Sequence, residues 1–144
     1  MADEINPSIA LKVLTPDKKV LETRITAMRI LLPDGWWGIL HGHVPMISYF
    51  DSGVVHYNIG KEKRYIALYQ GTIEVKREYH QDTQVLILTA AAEEGDDLKT
   101  VQADLEQQAV KLAASAKEAN REFNRMRLAL ERSIQEADIS GIGV

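Results

Sequence analysis

Near residue 93 the apolar pattern of this chain changes period, and no single sheet or single bundle can absorb the change. Before that point apolar residues recur at every second position; after it they recur at every third or fourth. A period of two belongs to strands and a period near 3.6 to helices. The sequence therefore predicts two modules in series: a strand-built domain over residues 1–93 and a helical domain over residues 94–144.

The front module reads as a succession of strands and turns. Ile9, Leu11 and Val13 share one face of an extended segment, and "TPDKK" (15–19) supplies turn residues. "RITAMRILL" follows until "PDG" at 33–35 breaks it. "GVVHYNI" alternates through Val55, Tyr57 and Ile59, "GKEK" has the chemistry of a hairpin turn, and "RYIALYQ" returns. "TIEVKREY" alternates through Ile73, Val75, Arg77 and Tyr79. "TQVLILTAA" is apolar at successive positions, the mark of a strand buried on both faces. Strands divided by turn signals in this way predict an antiparallel β-sandwich or a barrel.

The rear module carries one stripe. Leu98, Val101, Leu105, Ala109, Leu112, Ala116, Ala119, Phe123, Met126, Leu130, Ile134 and Ala137 are separated by steps of three or four throughout. Gly95, Asp96 and Asp97 form a helix start, with acids near the positive end of the helix dipole. Gly141 and Gly143 close the pattern, and neither glycine nor proline interrupts it from 96 to 140. Two arrangements fit: one helix of ~40 residues, about 60 Å long, or two helices folded back as a hairpin. The hairpin's turn would fall in "LAASAKEAN" (112–120), where alanines leave the stripe thin. Charge favours the hairpin slightly. Residues 93–106 carry six acids (Glu93, Glu94, Asp96, Asp97, Asp104 and Glu106) and one base, Lys99; residues 111–132 carry six bases (Lys111, Lys117, Arg121, Arg125, Arg127 and Arg132) and three acids. Each exposed pair adds only ~0–1 kcal/mol, so the hairpin and the open helix lie close in energy.

Between two strands stands "GWWGILHGHVP" (35–45). Gly35, five residues and His41-x-His43 match the opening of the cupin metal motif. A metal that takes imidazole wants at least three protein ligands, and Ile47 and Ser48 occupy the positions where the motif needs a glutamate. His56 and His80 lie in other segments with no fixed relation to the pair. The other reading is a strand-turn-strand passage. Gly38, Gly42 and Pro45 surround the histidines, and a proline forces the residue before it into an extended conformation. Trp36 and Trp37 point to opposite faces of an extended segment, so one can be core while the other faces solvent or anchors a partner.

Several classes of chemistry are absent. The chain has no cysteine, which excludes a disulfide framework, thiol nucleophiles and cysteine-ligated metals. No glycine-rich loop leads into G-K-[ST], and no G-x-S-x-G occurs. A net charge of -4 argues against general nucleic-acid binding. "MADEINPSIA" lacks a signal pattern, and no apolar run approaches the ~20 residues that span a bilayer. The expectation is a soluble chain, or one peripheral to a membrane through a partner.

The order of these pieces resembles the epsilon subunits of F-type ATP synthases, over nearly the whole chain. "LKVLTPDKKVLETRITAMRILLPDGWWGILHGHVPMI" is similar to that family's first half, in which a strand pair ends in G-x-x-G and a P/H-G/N-H-x-P turn follows. Gly35, Gly38, His43 and Pro45 match as they stand, and Gly42 matches one common family choice. "YIALYQGTIEV" resembles the family's hydrophobic-G-G-x-x-x-V strand, with Gln70 in place of the first glycine, and "LILTAAAEEGDDL" resembles the exit into the C-terminal helices.

The resemblance implies a ten-stranded antiparallel β-sandwich followed by a two-helix domain, hairpin or extended. It implies a non-catalytic rotor-stalk subunit beside the gamma subunit, resting on the c-ring, coupling ion flow to ATP synthesis, with no cofactor. The setting implied is peripheral, on the cytoplasmic side of a bacterial inner membrane. It places contacts on a sandwich end bearing the loops near 33–36 and 41–45: His43 by match to the motif, and Asp34, Trp36 and His41 by loop position. It assigns the helical residues Leu98, Val101, Leu105, Arg121, Arg125 and Met126 to a regulatory arm that reaches the catalytic head when extended and limits ATP hydrolysis. Some members bind ATP through I/L-D-x-x-R-A at the first helix. Here Lys99 and Gln102 replace the acid and the arginine of that motif, so ATP binding is expected to be weak or absent. A cupin-like metal protein and a coiled-coil adaptor are the competing readings.

Overall fold

In the computed structural model, residues 8–77 and 82–142 are described, the side chains beyond 137 excepted. Tyr79, His80 and Gly143 lie outside them. The elements are β1 (Ile9–Leu14), β2 (Lys19–Ile25), β3 (Ala27–Leu32), β4 (Gly35–Ile39), β5 (Met46–Ile59), β6 (Glu62–Arg77), β7 (Thr83–Gly95) and α1 (Leu98–Ile142). The strands form one hydrogen-bonded sheet in the order β2-β1-β7-β6-β5-β3-β4. Every pairing is antiparallel except that of β1 with β7. The sheet folds over on itself as a sandwich. Ile9 and Val13 of β1, Ile30 of β3, Ile39 of β4, Val55 of β5, Ile66 and Ile73 of β6 and Ile87 of β7 all belong to one buried cluster.

The fold-over has a local cause. Core-facing positions on β6 are Ile66 and Leu68 before residue 70, then Ile73 and Val75 after it. On β5 they move from Phe50 to Val55 and Tyr57, and on β7 from Val85 and Ile87 to Ala92. Side chains alternate strictly along an extended strand, so a change of core-facing parity needs a break in that conformation. Pairing is interrupted at one row, Asp51–Gln70–Ala90, with Phe50↔Gly71 and Tyr69↔Ala91 on either side of it. In β6 the break is Gln70, which adopts a φ of 48°, a left-handed conformation that favours glycine. The next residue has no room for a side chain: a Cβ on Gly71 would overlap the Leu88 carbonyl oxygen and lie 2.8 Å from the Thr89 Cα. The buried Thr89 hydroxyl lies 2.7 Å from the Tyr69 carbonyl and 3.0 Å from that of Ala91, taking up acceptors beside the interrupted row. Counting the two arms of β5, β6 and β7 separately gives the ten strands that the resemblance implies.

Two expectations about strands are corrected. "RITAMRILL" is not one strand: it divides at Thr26, where the chain crosses between layers. The Thr26 amide donates to the Asn58 carbonyl at 2.8 Å and its hydroxyl accepts from the Gly60 amide at 2.9 Å, which fixes the crossing. β7 is buried on one face only. It is central in the sheet, but Leu88 on its outer face is 47% exposed, because nothing in the described structure covers that side. The hairpin at "GKEK" forms as expected, with Gly60 at a φ of 61° and Ile59 paired with Glu62.

The helical module is one continuous helix with no turn at 112–120. Asp97 caps it, accepting from the Thr100 amide at 3.2 Å and the Thr100 hydroxyl at 2.5 Å, as an N-cap carboxylate does. The alanine-rich centre, thin as a packing stripe, is strong as helix sequence, and exposed charge pairs are too weak to impose a turn. By contact the chain divides into a unit over Met1–Gln108 and a unit over Ala109–Val144. In the first, Val101 is buried and Leu98, Leu105 and Gln108 are half-buried; in the second, residues 110–137 are exposed throughout.

Candidate functional site

The β3–β4 turn is built on Pro33 and Asp34, with Gly35 at a φ of 117°. Neither tryptophan that follows enters the core, which the sequence left open to one of them: Trp36 is 48% exposed and Trp37 38%. β4 is the last strand of the sheet and, among the described residues, has no further neighbour to bury against. The Trp37 indole N–H donates to the Asp34 carboxylate at 2.8 Å, which closes the turn. Trp36 lies on the outer face in a row that crosses the strands. The Arg29 guanidinium carbon sits 4.8 Å from the Trp36 ring centroid, a cation–π contact. His56 meets the Trp36 ring edge-on at 5.0 Å, and Tyr65 meets His56 edge-on at 4.9 Å. Arg29 pairs with His56 and His56 with Tyr65 in the sheet register, so these three follow from strand pairing, while Trp36, paired with Leu31, reaches them diagonally on the same face. Arg29 approaches the His56 Nδ1 at 3.2 Å. Arginine only donates, so Nδ1 accepts and the ring proton resides on Nε2. Burial, and secondarily the Arg29 charge, hold His56 below its ordinary pKa of 6.5.

The loop over residues 40–45 is the second element. His41 and Gly42 make a turn, with Gly42 at a φ of 84°. The Gly42 amide donates to the buried Thr83 hydroxyl at 2.7 Å, and the His43 amide to the Leu40 carbonyl at 3.1 Å. The His43 Nδ1 lies 2.7 Å from the Val44 carbonyl, which can only accept, so that nitrogen carries the ring proton. The His41 Nδ1 points to the Ser8 carbonyl at 3.4 Å. Both rings thus turn toward backbone. Leu40, Val44 and, on β5, Ile47 and Tyr49 are exposed apolar side chains that follow this loop.

The two loops do not share one end of the sandwich, as the sequence reading placed them. They sit at opposite ends of β4, whose five residues span roughly 15 Å at ~3.3 Å per residue. Trp36 lies against Arg29 and His56 at one end, with Asp34 held to Trp37; at the other, His41 meets Ser8, just before β1, and Gly42 meets Thr83. Of the helical residues, Leu98, Val101 and Leu105 pack in the first unit, while Arg121, Arg125 and Met126 are exposed in the second.

Sequence reasoning missed a further cluster at the foot of the helix. The Tyr57 hydroxyl donates to Glu94 at 2.9 Å, and the Arg64 guanidinium donates to the same carboxylate oxygen. Burial and the Glu94 charge raise the Tyr57 pKa. Tyr57 was visible as a core position, but the partnership needed the β5–β6–β7 register, which no local signal fixes. The same holds for Arg29, His56 and Tyr65.

Comparison with known proteins adds the following. The sequence model of the family described as "ATP synthase, Delta/Epsilon chain, beta-sandwich domain" matches residues 8–95. The ATP synthase epsilon chain of Halalkalibacterium halodurans is 31% identical over 136 residues, which cover 94% of this chain and 98% of that one. The ATP synthase epsilon chain of Cyanothece sp. is 34% identical over 131 residues, covering 90% of this chain and 87% of that one. Among solved structures, a chain of the Euglena gracilis mitochondrial ATP synthase superposes with a TM-score of 0.53 at 23% identity. The match covers 77% of this chain and 69% of that one and shows a shared fold.

Proposed function

The chain belongs to the ATP synthase delta/epsilon-chain family, and from that premise we propose how its two modules divide the work. It is the epsilon subunit of the central rotor stalk, a non-catalytic part of the complex that couples ion flow through the c-ring to ATP synthesis. The observation that carries this is the full-length similarity: the match to an epsilon chain spans sandwich and helix alike, 94% of this chain. The partners are the gamma subunit, the c-ring and, for an extended arm, the catalytic head. Among the described residues no helix is long and apolar enough to cross a membrane. The proposed attachment is through those partners, on the cytoplasmic side of a bacterial membrane.

The functional division is set at residues 93 and 94, supported by the family match that stops at residue 95. The loop with His41 and His43 and the turn with Asp34 and Trp36 are two separate contact patches, one for each end of β4. Exposed aromatic and polar side chains suit docking. The helical arm, with Arg121, Arg125 and Met126 uncovered, limits ATP hydrolysis by the head. Lys99 and Gln102 remove the acid–arginine pair that would hold a nucleotide at the helix start, so the arm responds to its protein partners.

The test is purification of a tagged chain from detergent-solubilised membranes. Recovery with a gamma-type coiled-coil subunit and the c-ring in fixed stoichiometry is the expected result. A free homodimer would favour a coiled-coil adaptor, and stoichiometric bound metal would favour the cupin reading; either would overturn the proposal.

A further inference from the structure

Two adjacent residues at the end of β7 send their carboxylates to different places. Glu94 accepts from Tyr57 of β5 and Arg64 of β6, which fastens the end of β7 to its own sheet. Glu93 accepts from the side-chain amide of Gln108, about three turns into α1. Between these points the helix closes on the strand: a Cβ built on Gly95 would lie 2.9 Å from the Val101 Cγ1, and Val101 is 4% exposed. Val101, Leu105 and Gln108 follow each other by four and three residues, so they share one face of the helix. There is no slack at the junction. β7 stays paired with β6 through Gly95, opposite Tyr65, and only Asp96 and Asp97 separate it from the first helical residue. Asp97 is itself committed as the cap.

We infer that residues 98–108 are a fixed base of the helix, latched by the Glu93–Gln108 pair and seated by Val101 on Gly95, and that any rearrangement of the arm takes place C-terminal to residue 108. This deepens the reading of the helix as a regulatory arm and rests on it. The physical asymmetry is plain. Swinging the helix about residues 96–97 would strip Val101 of its cover, break the pair and leave a half-buried carboxylate without its donor, a costly combination. Bending it beyond 108 disturbs only the helix's own backbone bonds, because residues 110–137 are exposed throughout. Glu94, held by Tyr57 and Arg64, keeps the strand end that carries Glu93 in place. The latch is therefore backed by the sheet.

Amide hydrogen exchange on the assembled enzyme, compared with and without nucleotide, tests this. The amides of 102–108 are expected to keep the same protection in both states, within tenfold of the β6 core. Loss of their protection in either state would overturn the inference. In the isolated chain, Gln108→Ala and Glu93→Ala are each expected to speed exchange at 102–108 by at least tenfold and to leave the β6 core amides unchanged. No change at 102–108 in both variants would also overturn it. The underlying reading fails separately. If deletion of 109–144 leaves ATP hydrolysis by the complex unchanged, the arm is not regulatory, whatever the exchange pattern of the base.

Discussion

The sandwich and the helical arm use their apolar residues in opposite ways. In the sandwich Ile9, Ile30, Ile66 and Ile87 are fully buried in one shared core. In the arm Phe123, Met126, Leu130 and Ile134 stay between 51% and 70% exposed. Both sets follow a clean period, so periodicity alone does not tell whether a stripe is covered. What differs is the source of order. The sheet rests on pairings between residues far apart in the chain, each needing every other. The arm rests on local helix propensity in an alanine-rich sequence without glycine or proline before residue 141, which suffices for a long helix but fixes no partner.

The comparison breaks first at Gly71, where the largest effect is expected. Gly71→Ala places a methyl group on the Leu88 carbonyl and should cost ~3 kcal/mol or more, or abolish cooperative unfolding. Urea denaturation measures it, and an unchanged midpoint would mean that the bend is not a close approach. Next comes a matched pair of truncations. Ile66→Ala opens a cavity in the shared core and should cost about 2–5 kcal/mol, whereas Met126→Ala should stay within ~0.5 kcal/mol. Equal losses would show that the arm is covered in solution.

Smaller effects sharpen the boundary between the modules. Asp97→Ala should lower helical circular dichroism without moving the sandwich midpoint. The Thr100 hydrogen bonds hold the Asp97 carboxyl below its ordinary pKa of 3.8. A depressed acid stabilises above its unfolded pKa, so the same loss should appear as pH falls below 3.8. The smallest effect belongs to His56, whose folded pKa is depressed below 6.5, chiefly by burial. For a base the sign reverses: the unfolded chain takes the proton first, so stability should decline slightly as pH falls through 6.5. His56→Gln should flatten that slope in thermal denaturation run at several pH values.

Much of this was legible in the sequence. The two periods, the turn at Gly60, the cap near Asp97 and the order of motifs are local signals. The split at Thr26 was not legible, because its cause is a hydrogen bond to Asn58, far along the chain. The exposure of Trp36 and Trp37 was hidden because edge position is a property of strand order. The Asp51–Gln70–Ala90 row was hidden too, although Gln70 in the place of a family glycine marked the spot. The contact residues divided into two patches because β4 lies between their loops, and the length of "GWWGI" as a strand sets that distance. In each case a pairing between distant residues decided the outcome.

The central claim is that folding and docking onto the gamma subunit reside in residues 1–108 and that the rest of the helix adds to neither. A chain ending at Gln108, compared with the full chain, tests it in one experiment: urea denaturation followed by titration with the gamma subunit. The account predicts the same unfolding midpoint and the same binding stoichiometry. A truncated chain that fails to fold, or folds and no longer binds gamma, would contradict it.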